Sequence, residues 1–204
     1  MFKIINISKK YKNQTIFNDV SIDFSNPGIY LFQGVNGSGK STLIKILAGM
    51  IYKTSGNIEK DISISYLPDK FSMPKLMLSK DYIKLFLSMT KREKMASELL
   101  DKFQIPNRRI GFLSKGNQQK LALLQVLYTD ADCYIFDEPL DGLDEYAKGI
   151  LKDIITELIN RGKIIIISLH ASNLFSKLKP TIIEFKDGKI SLKKKRGNKD
   201  EEEI

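Results

Sequence analysis

The sequence predicts an α/β fold: a mostly parallel central sheet with helices on both faces, an N-terminal antiparallel β subdomain, and an inserted helical subdomain. Three observations carry this. An apolar run, Ile29-Tyr30-Leu31-Phe32, then a glycine-rich loop, then the apolar stretch Leu43 to Ala48 read as strand, tight turn and helix. Strand-like and helix-like stretches alternate again toward the C terminus, which is the pattern of crossover connections in a parallel sheet. Between them, over about residues 70–128, apolar side chains recur at helical spacing only.

In chain order, Phe2, Ile4 and Ile7, then Ile16 and Phe17, then Val20, Ile22 and Phe24 form short β-like stretches. Tyr11 lies between the first two and is by default a partly exposed turn aromatic. Asn26-Pro27-Gly28 turns the chain into the strand before the glycine-rich loop. After the first helix, Lys53 to Asn57 reads as a turn, and Ile58 with Ile62 to Leu67 as further strand ending at Pro68-Asp69. Tyr82, Leu85, Phe86 and Met89 follow Ser79 at helical spacing, and Met95, Leu99, Leu100 and Phe103 repeat the pattern before Pro106.

Leu113-Ser114-Lys115-Gly116-Asn117 opens another helix, with Leu121, Leu124 and Leu127 on one face. The strand Cys133 to Phe136 ends in Asp137-Glu138-Pro139. An amphipathic helix from Glu145 to Asn160 stops at Arg161-Gly162, and the strand Lys163 to Ser168 ends in Leu169-His170. A short helix through Leu174 and Leu178 follows. Asp187-Gly188 closes a hairpin between Ile182 to Phe185 and Ile190 to Leu192. Residues 1–192 thus read as one domain and 193–204 as a charged, disordered tail.

The chemistry concentrates in Gly34-Val35-Asn36-Gly37-Ser38-Gly39-Lys40-Ser41-Thr42, which fits G-x-x-x-x-G-K-[ST]. Glycines at 34, 37 and 39 let successive N–H groups turn inward around phosphates at the positive end of the following helix. Lys40 would reach the β- and γ-phosphates, and the Ser41 hydroxyl would ligate Mg²⁺. Asp137 would hold that ion directly or through water, and Glu138 could take the proton of an attacking water. Alone, Asp-Glu-Pro after a strand is an ordinary turn; beside a phosphate loop it has a use. His170 is the sole histidine, placed where an open α/β sheet binds ligands. It could touch a γ-phosphate and the water, or be a surface loop residue, and the pattern alone leaves both open.

Composition narrows the setting. The 204 residues suffice for a sizeable core without staples. The single cysteine, Cys133, forms no internal disulfide and sits among apolar neighbours as a small buried residue. No signal peptide is visible, and the longest aliphatic run, Ile164 to Ile167, is far short of the roughly 20 residues a bilayer requires. A cytosolic protein is expected unless a partner holds it at a membrane. The net charge of +9 is scattered, and the one dense basic run, Lys193 to Arg196, is followed by Asp200 to Glu203. That mixed end reads as solvated chain or a membrane-surface contact, and charge alone names no nucleic-acid partner.

Taken together and in order, these residues resemble the nucleotide-binding subunits of ABC transporters over nearly the whole chain. Tyr11 matches the aromatic that stacks on adenine, and Gly34 to Thr42 the Walker A loop. Leu113 to Asn117 is similar to the family signature, Cys133 to Glu138 to Walker B with its catalytic glutamate, Leu140 to Asp144 to the D-loop, and His170 to the switch histidine. The resemblance implies a phosphate-loop NTPase core, ATP and Mg²⁺ as cofactors, and catalysis by Glu138 with His170. It implies two such subunits, identical or paired, stacked head to tail, so that Ser114 and the Gly116 N–H of one bind the γ-phosphate held by the other. The predicted helical subdomain would dock on a membrane permease, placing the chain peripherally on the cytoplasmic face of the cell membrane, with no nucleic acid expected.

Two positions depart from the family pattern. Asp69 stands where most members have a glutamine; a carboxylate can still ligate Mg²⁺ but adds negative charge near the γ-phosphate. Lys115 and Asn117 replace the commoner glycine and glutamine, and a lysine there resembles the branch that serves exporters of drugs, peptides and antibiotics. Rival readings are a soluble ABC-type ATPase acting on ribosomes or DNA, and a small-molecule kinase. The first usually carries two such domains or a long coiled coil between motifs; the second leaves the signature unexplained.

Overall fold

The strands divide between two sheets. The computed structural model describes residues 1–169, 173–186 and 188–192. The chain begins with β1 (Phe2–Tyr11), β2 (Gln14–Asp23), β3 (Gly28–Gly34), α1 (Lys40–Leu47) and β4 (Ser55–Lys60). β5 (Ile64–Leu67), α2 (Ser79–Ser88), α3 (Ala96–Lys102) and α4 (Lys115–Leu127) follow. β6 (Cys133–Asp137), α5 (Glu145–Asn160), β7 (Ile164–Leu169), β8 (Thr181–Lys186) and β9 (Lys189–Leu192) complete it.

The smaller sheet is antiparallel, in the order β2-β1-β4, and the larger runs β5-β6-β7-β3-β8-β9, parallel except for β9. Both faces of the larger sheet are buried. Cys133, Ile135, Ile166 and Phe32 meet α1 and the small sheet on one side. Tyr134, Phe136, Ile165 and Ile167 meet the helices α2 to α5 on the other. That two-sided burial is why β6 and β7 read as continuous apolar runs rather than alternating ones. Cys133 is fully buried, and desolvation pushes its thiol up to about 12, so it is inert packing.

Several expectations are met closely. α5 spans Glu145–Asn160, opened by Asp144, whose carboxylate accepts the Ala147 N–H at 2.8 Å. α2, α3 and α4 are the strand-free helices anticipated, and the Tyr82 hydroxyl of α2 donates to Gln125 Oε1 of α4 at 2.6 Å. β8 and β9 pair with Lys186 opposite Lys189, as a hairpin requires.

Other boundaries differ, for identifiable reasons. Instead of three short β stretches, residues 2–23 form two ten-residue strands whose register shifts at bulges between Ile4, Ile7 and Lys9. The supposed turn at 53–57 is partly strand, because β4 pairs with β1 from Ser55 onward. Gly56 is essential to that pairing: it has φ +89°, and a Cβ there would lie 2.3 Å from the Asn6 carbonyl oxygen. Ile58 and Ile62 to Leu67 do not form one strand. β4 joins the small sheet and β5 the large one, with the start of β5 pinned by the Ser63 N–H and hydroxyl donating to Asp132 at 3.0 and 2.7 Å. The short helix expected through Leu174 and Leu178 is one 3₁₀ turn, Ser176–Leu178. Asp187 and the charged stretch 193–204 lie outside the described residues.

Candidate nucleotide site

The site forms at the C-terminal ends of the parallel strands, where β3, β6 and β7 deliver their loops side by side. β3 ends at Gly34, whose neighbour in the sheet leaves no space for a side chain: a Cβ would lie 2.4 Å from the Phe185 carbonyl oxygen of β8. Gly39 caps α1 with φ +103°, and the first turn of α1 carries no acidic residue. A helix start leaves its first N–H groups without intrahelical acceptors, so this end presents donors and a positive dipole to an anion.

Lys40 is only 5% exposed, and its Nζ donates to the carbonyl oxygens of Gly34 at 2.7 Å and Val35 at 3.2 Å. The ammonium therefore lies across the loop. Asp137 at the tip of β6 is fully buried. Its Oδ1 accepts hydrogen bonds from Ser41 Oγ of α1 at 3.0 Å and Ser168 Oγ of β7 at 2.6 Å. Ser168 Oγ in turn accepts the Glu138 N–H at 3.0 Å. Glu138 has φ +52°, a left-handed conformation that non-glycine residues seldom adopt and that is common at functional turns.

These groups surround a cavity of about 340 Å³ lined by Ile16, Asn36, Gly37, Ser38, Gly39, Lys40, Ser41, Thr42, Asp69, Glu138 and Asp141. Three carboxylates line it and Asp137 is buried beneath, against the single lysine. Such a balance calls for cationic compensation before a polyphosphate enters. Asp137 Oδ2 is buried without a hydrogen-bond partner among the described residues, and beside the Ser41 hydroxyl it offers the hard oxygen donor that Mg²⁺ prefers. No cluster of three or more His, Cys, Asp or Glu among the described residues could hold a metal by itself. The residues therefore suit an ion that brings its other ligands with it, as phosphate-bound Mg²⁺ does.

Not every expected residue meets at this cavity. Tyr11 does not line it; the ring is half exposed and carries Lys9 Nζ at 4.3 Å from its centroid. Gly34 shapes the loop from beneath rather than lining it. His170 lies outside the described residues. Ser114 and Gly116 sit apart from the cavity, at the start of α4, where Ser114 Oγ accepts the Asn117 N–H at 3.2 Å.

That helix start is nevertheless fastened to the loop after Glu138. A Cβ on Gly116 would lie 2.6 Å from the Gly142 carbonyl oxygen, so only glycine allows the approach. Buried Lys120 pairs with Asp144 at 2.6 Å and, by hydrogen bonding, draws that carboxyl below its usual range. Gln119 Nε2 donates to the Pro139 carbonyl oxygen at 3.4 Å.

Ser168 is a site residue that sequence reasoning did not select, and Asp141, matched only as part of the D-loop, lines the cavity as well. The signal for Ser168 was present: one hydroxyl follows a run of four isoleucines in a strand otherwise wholly apolar. Ser168→Ala should destabilise the protein by about 1–3 kcal/mol, because the Glu138 N–H loses its acceptor and Asp137 one of its two donors. Thermal melts of the two proteins test this; equal melting temperatures would show that the Asp137, Ser168 and Glu138 chain is not structural.

A parallel sheet whose first loop cradles anions beside an acidic strand end defines a phosphate-loop nucleotide-binding protein. Comparison with known proteins narrows that class. The ABC transporter family pattern matches residues 17–141. An uncharacterised ABC transporter ATP-binding protein of Methanocaldococcus jannaschii is 34% identical over 195 residues, covering 92% of this chain and 74% of that protein. A lantibiotic transport ATP-binding protein of Streptococcus pyogenes is 32% identical over 207 residues, covering 95% of this chain and 90% of that protein. Among solved structures, a dimeric bacterial ABC transporter cassette shares the fold, with a TM-score of 0.83 at 22% identity over 97% of this chain and 100% of that one. Relatives named for export and for import both occur. The chain belongs to the ABC transporter family, as one of its ATP-binding, ATP-hydrolysing subunits.

Proposed function

We propose that this subunit binds ATP with Mg²⁺, works as one of two such subunits, and drives export through a separate membrane permease. The single observation that carries the two-subunit reading is the separation of the phosphate loop from the signature turn. Ser114 is exposed, does not line the cavity, and opens a helix fully supported from behind by its own chain. A helix start that can bind an anion but does not line the cavity of its own phosphate loop fits a nucleotide held by a second copy. In this reading Tyr11 stacks on the adenine, and Asn36 to Thr42 and Lys40 hold the phosphates. Ser41, Asp137 and Asp69 hold the cation, which neutralises phosphate charge when bound. Glu138 takes the proton of the attacking water, and His170 contacts the γ-phosphate and that water.

The permease contact is supported by apolar exposure in the helical segment. Leu76, Met89 and Phe112 are each more than two-thirds exposed, at 81, 79 and 73%. Leu76 and Phe112 flank the hydrogen bond from the Gly111 N–H to the Lys75 carbonyl oxygen, so the two side chains emerge from adjacent backbone. Exposed apolar groups collected in this way mark a protein-binding surface. Among the described residues no helix is long and apolar enough to cross a membrane.

Export is supported by Lys115 in the signature and by the lantibiotic transport relative. Purification of the tagged protein in mild detergent from its own cells is expected to retrieve a stoichiometric multi-span membrane protein. Retrieval of ribosomal proteins or DNA instead would overturn the transporter assignment. In the reconstituted complex, ATPase stimulation by cytoplasmic-side solutes without an external binding protein fits export. A strict requirement for an external binding protein would make the system an importer.

A further inference from the structure

We infer that Tyr66 is a positioning residue of the metal centre, its hydroxyl and the second carboxylate oxygen of Asp137 together holding a water of a divalent cation. The inference rests on the ATPase reading above and deepens it. Among the described residues, three buried side-chain polar atoms have no hydrogen-bond partner: Ser38 Oγ, Tyr66 Oη and Asp137 Oδ2. Buried polar atoms are nearly always satisfied, and the exceptions concentrate where a ligand, ion or water completes the set. Ser38 belongs to the phosphate loop itself. The other two share one face of the sheet.

The strand register establishes that sharing. Tyr66 of β5 pairs with Ile135 of β6, and Leu67 with Phe136. Side chains alternate along a strand, so Tyr66, Ile135 and Asp137 point to the same side. That side is the one covered by α1: Ile135 and Tyr66 pack with the α1 residues Leu43 and Ile44, and Ser41 of α1 reaches Asp137. Tyr66 therefore stands one strand across and two positions below Asp137, within the reach of an aromatic side chain. Three residues beyond it, Asp69 lines the cavity.

The electrostatics keep the phenol a donor. Burial, then the carboxylates of Asp137 and Asp69, push its ionisation well above the ordinary tyrosine range, so it stays protonated at every working pH. A phenylalanine would fill this space with no hydroxyl to satisfy, so packing alone does not account for a tyrosine. A Mg²⁺ ion keeps several of its waters when bound to protein, and the second carboxylate oxygen with a phenol donor nearby can hold such water in place. The segment that carries Asp69 thus contributes two groups to the cation, a carboxylate at the cavity and a phenol behind it.

Mn²⁺ binding in the presence of ADP, followed by electron paramagnetic resonance, tests this with no turnover. Tyr66→Phe is expected to weaken Mn²⁺ binding about tenfold, the lower end of what loss of a supporting group around a metal costs. Calorimetry should show unchanged metal-free ADP affinity, and the melting temperature should stay level or rise because an unsatisfied hydroxyl is gone. Should the Phe variant not fold, Tyr66→Met puts a side chain without a hydroxyl in the same place for the same titration. Wild-type Mn²⁺ affinity in a folded variant overturns the role of Tyr66 and leaves the ATPase reading standing. A wild-type protein that binds no nucleotide overturns the reading itself.

Discussion

Glu138→Gln is expected to retain ATP binding while lowering hydrolysis at least about 100-fold, the scale of a lost general base. The substitution is close to isosteric. The cavity volume, the left-handed backbone at φ +52° and the Glu138 N–H bond to Ser168 do not depend on whether the side chain ends in a carboxylate or an amide. What disappears is the ability to accept a proton. Removing one of the three carboxylates that line the cavity also lessens repulsion toward a triphosphate, so affinity should hold or improve. If ATP closes two subunits around the nucleotide and hydrolysis reopens them, the variant accumulates as an ATP-bound dimer. Phosphate release and gel filtration with ATP measure the two effects separately. Turnover like that of the wild type would remove Glu138 as the base.

The phosphate loop was legible because its chemistry requires particular residue types in one contiguous stretch, so no tertiary knowledge was needed to find it. α5 was legible for a related reason, since its cap, apolar stripe and stop at Gly162 are all local. Ser168 was not. Its role depends on β7 lying beside β6 in a register that sets Ser168 opposite Asp137, and strand order in a parallel sheet is decided by crossovers that no short window contains. The same holds for the division of Ile58 and Ile64 between two sheets, which follows from pairing with β1 and β6 rather than from anything between Asp61 and Ser63. Tyr66 is the extreme case. Its ring reads as ordinary strand packing, and only the sheet register puts it on the face that carries Asp137.

Lys40→Ala should be the most severe loss of nucleotide affinity, with a much smaller loss of fold stability. Lys40 Nζ is buried, its hydrogen bonds go to two neutral carbonyl oxygens of its own loop, and it makes no ion pair among the described residues. Its removal leaves those two carbonyl oxygens without this donor and takes the one lysine away from the carboxylates of the cavity. The unliganded protein should therefore lose only about 1–3 kcal/mol of stability. The nucleotide complex is different. Two charge-assisted bonds to phosphate, each worth about 1.5–3 kcal/mol, correspond to a drop in affinity of about 100-fold or more. ATP at about 100 times the wild-type dissociation constant should therefore stabilise the wild type by about 2.7 kcal/mol and the variant scarcely at all. Thermal melts with and without ATP read both quantities from one experiment. An equal ATP-induced shift in the two proteins would mean that the ammonium stays on Gly34 and Val35 when nucleotide binds and that the phosphates are held by backbone N–H groups alone.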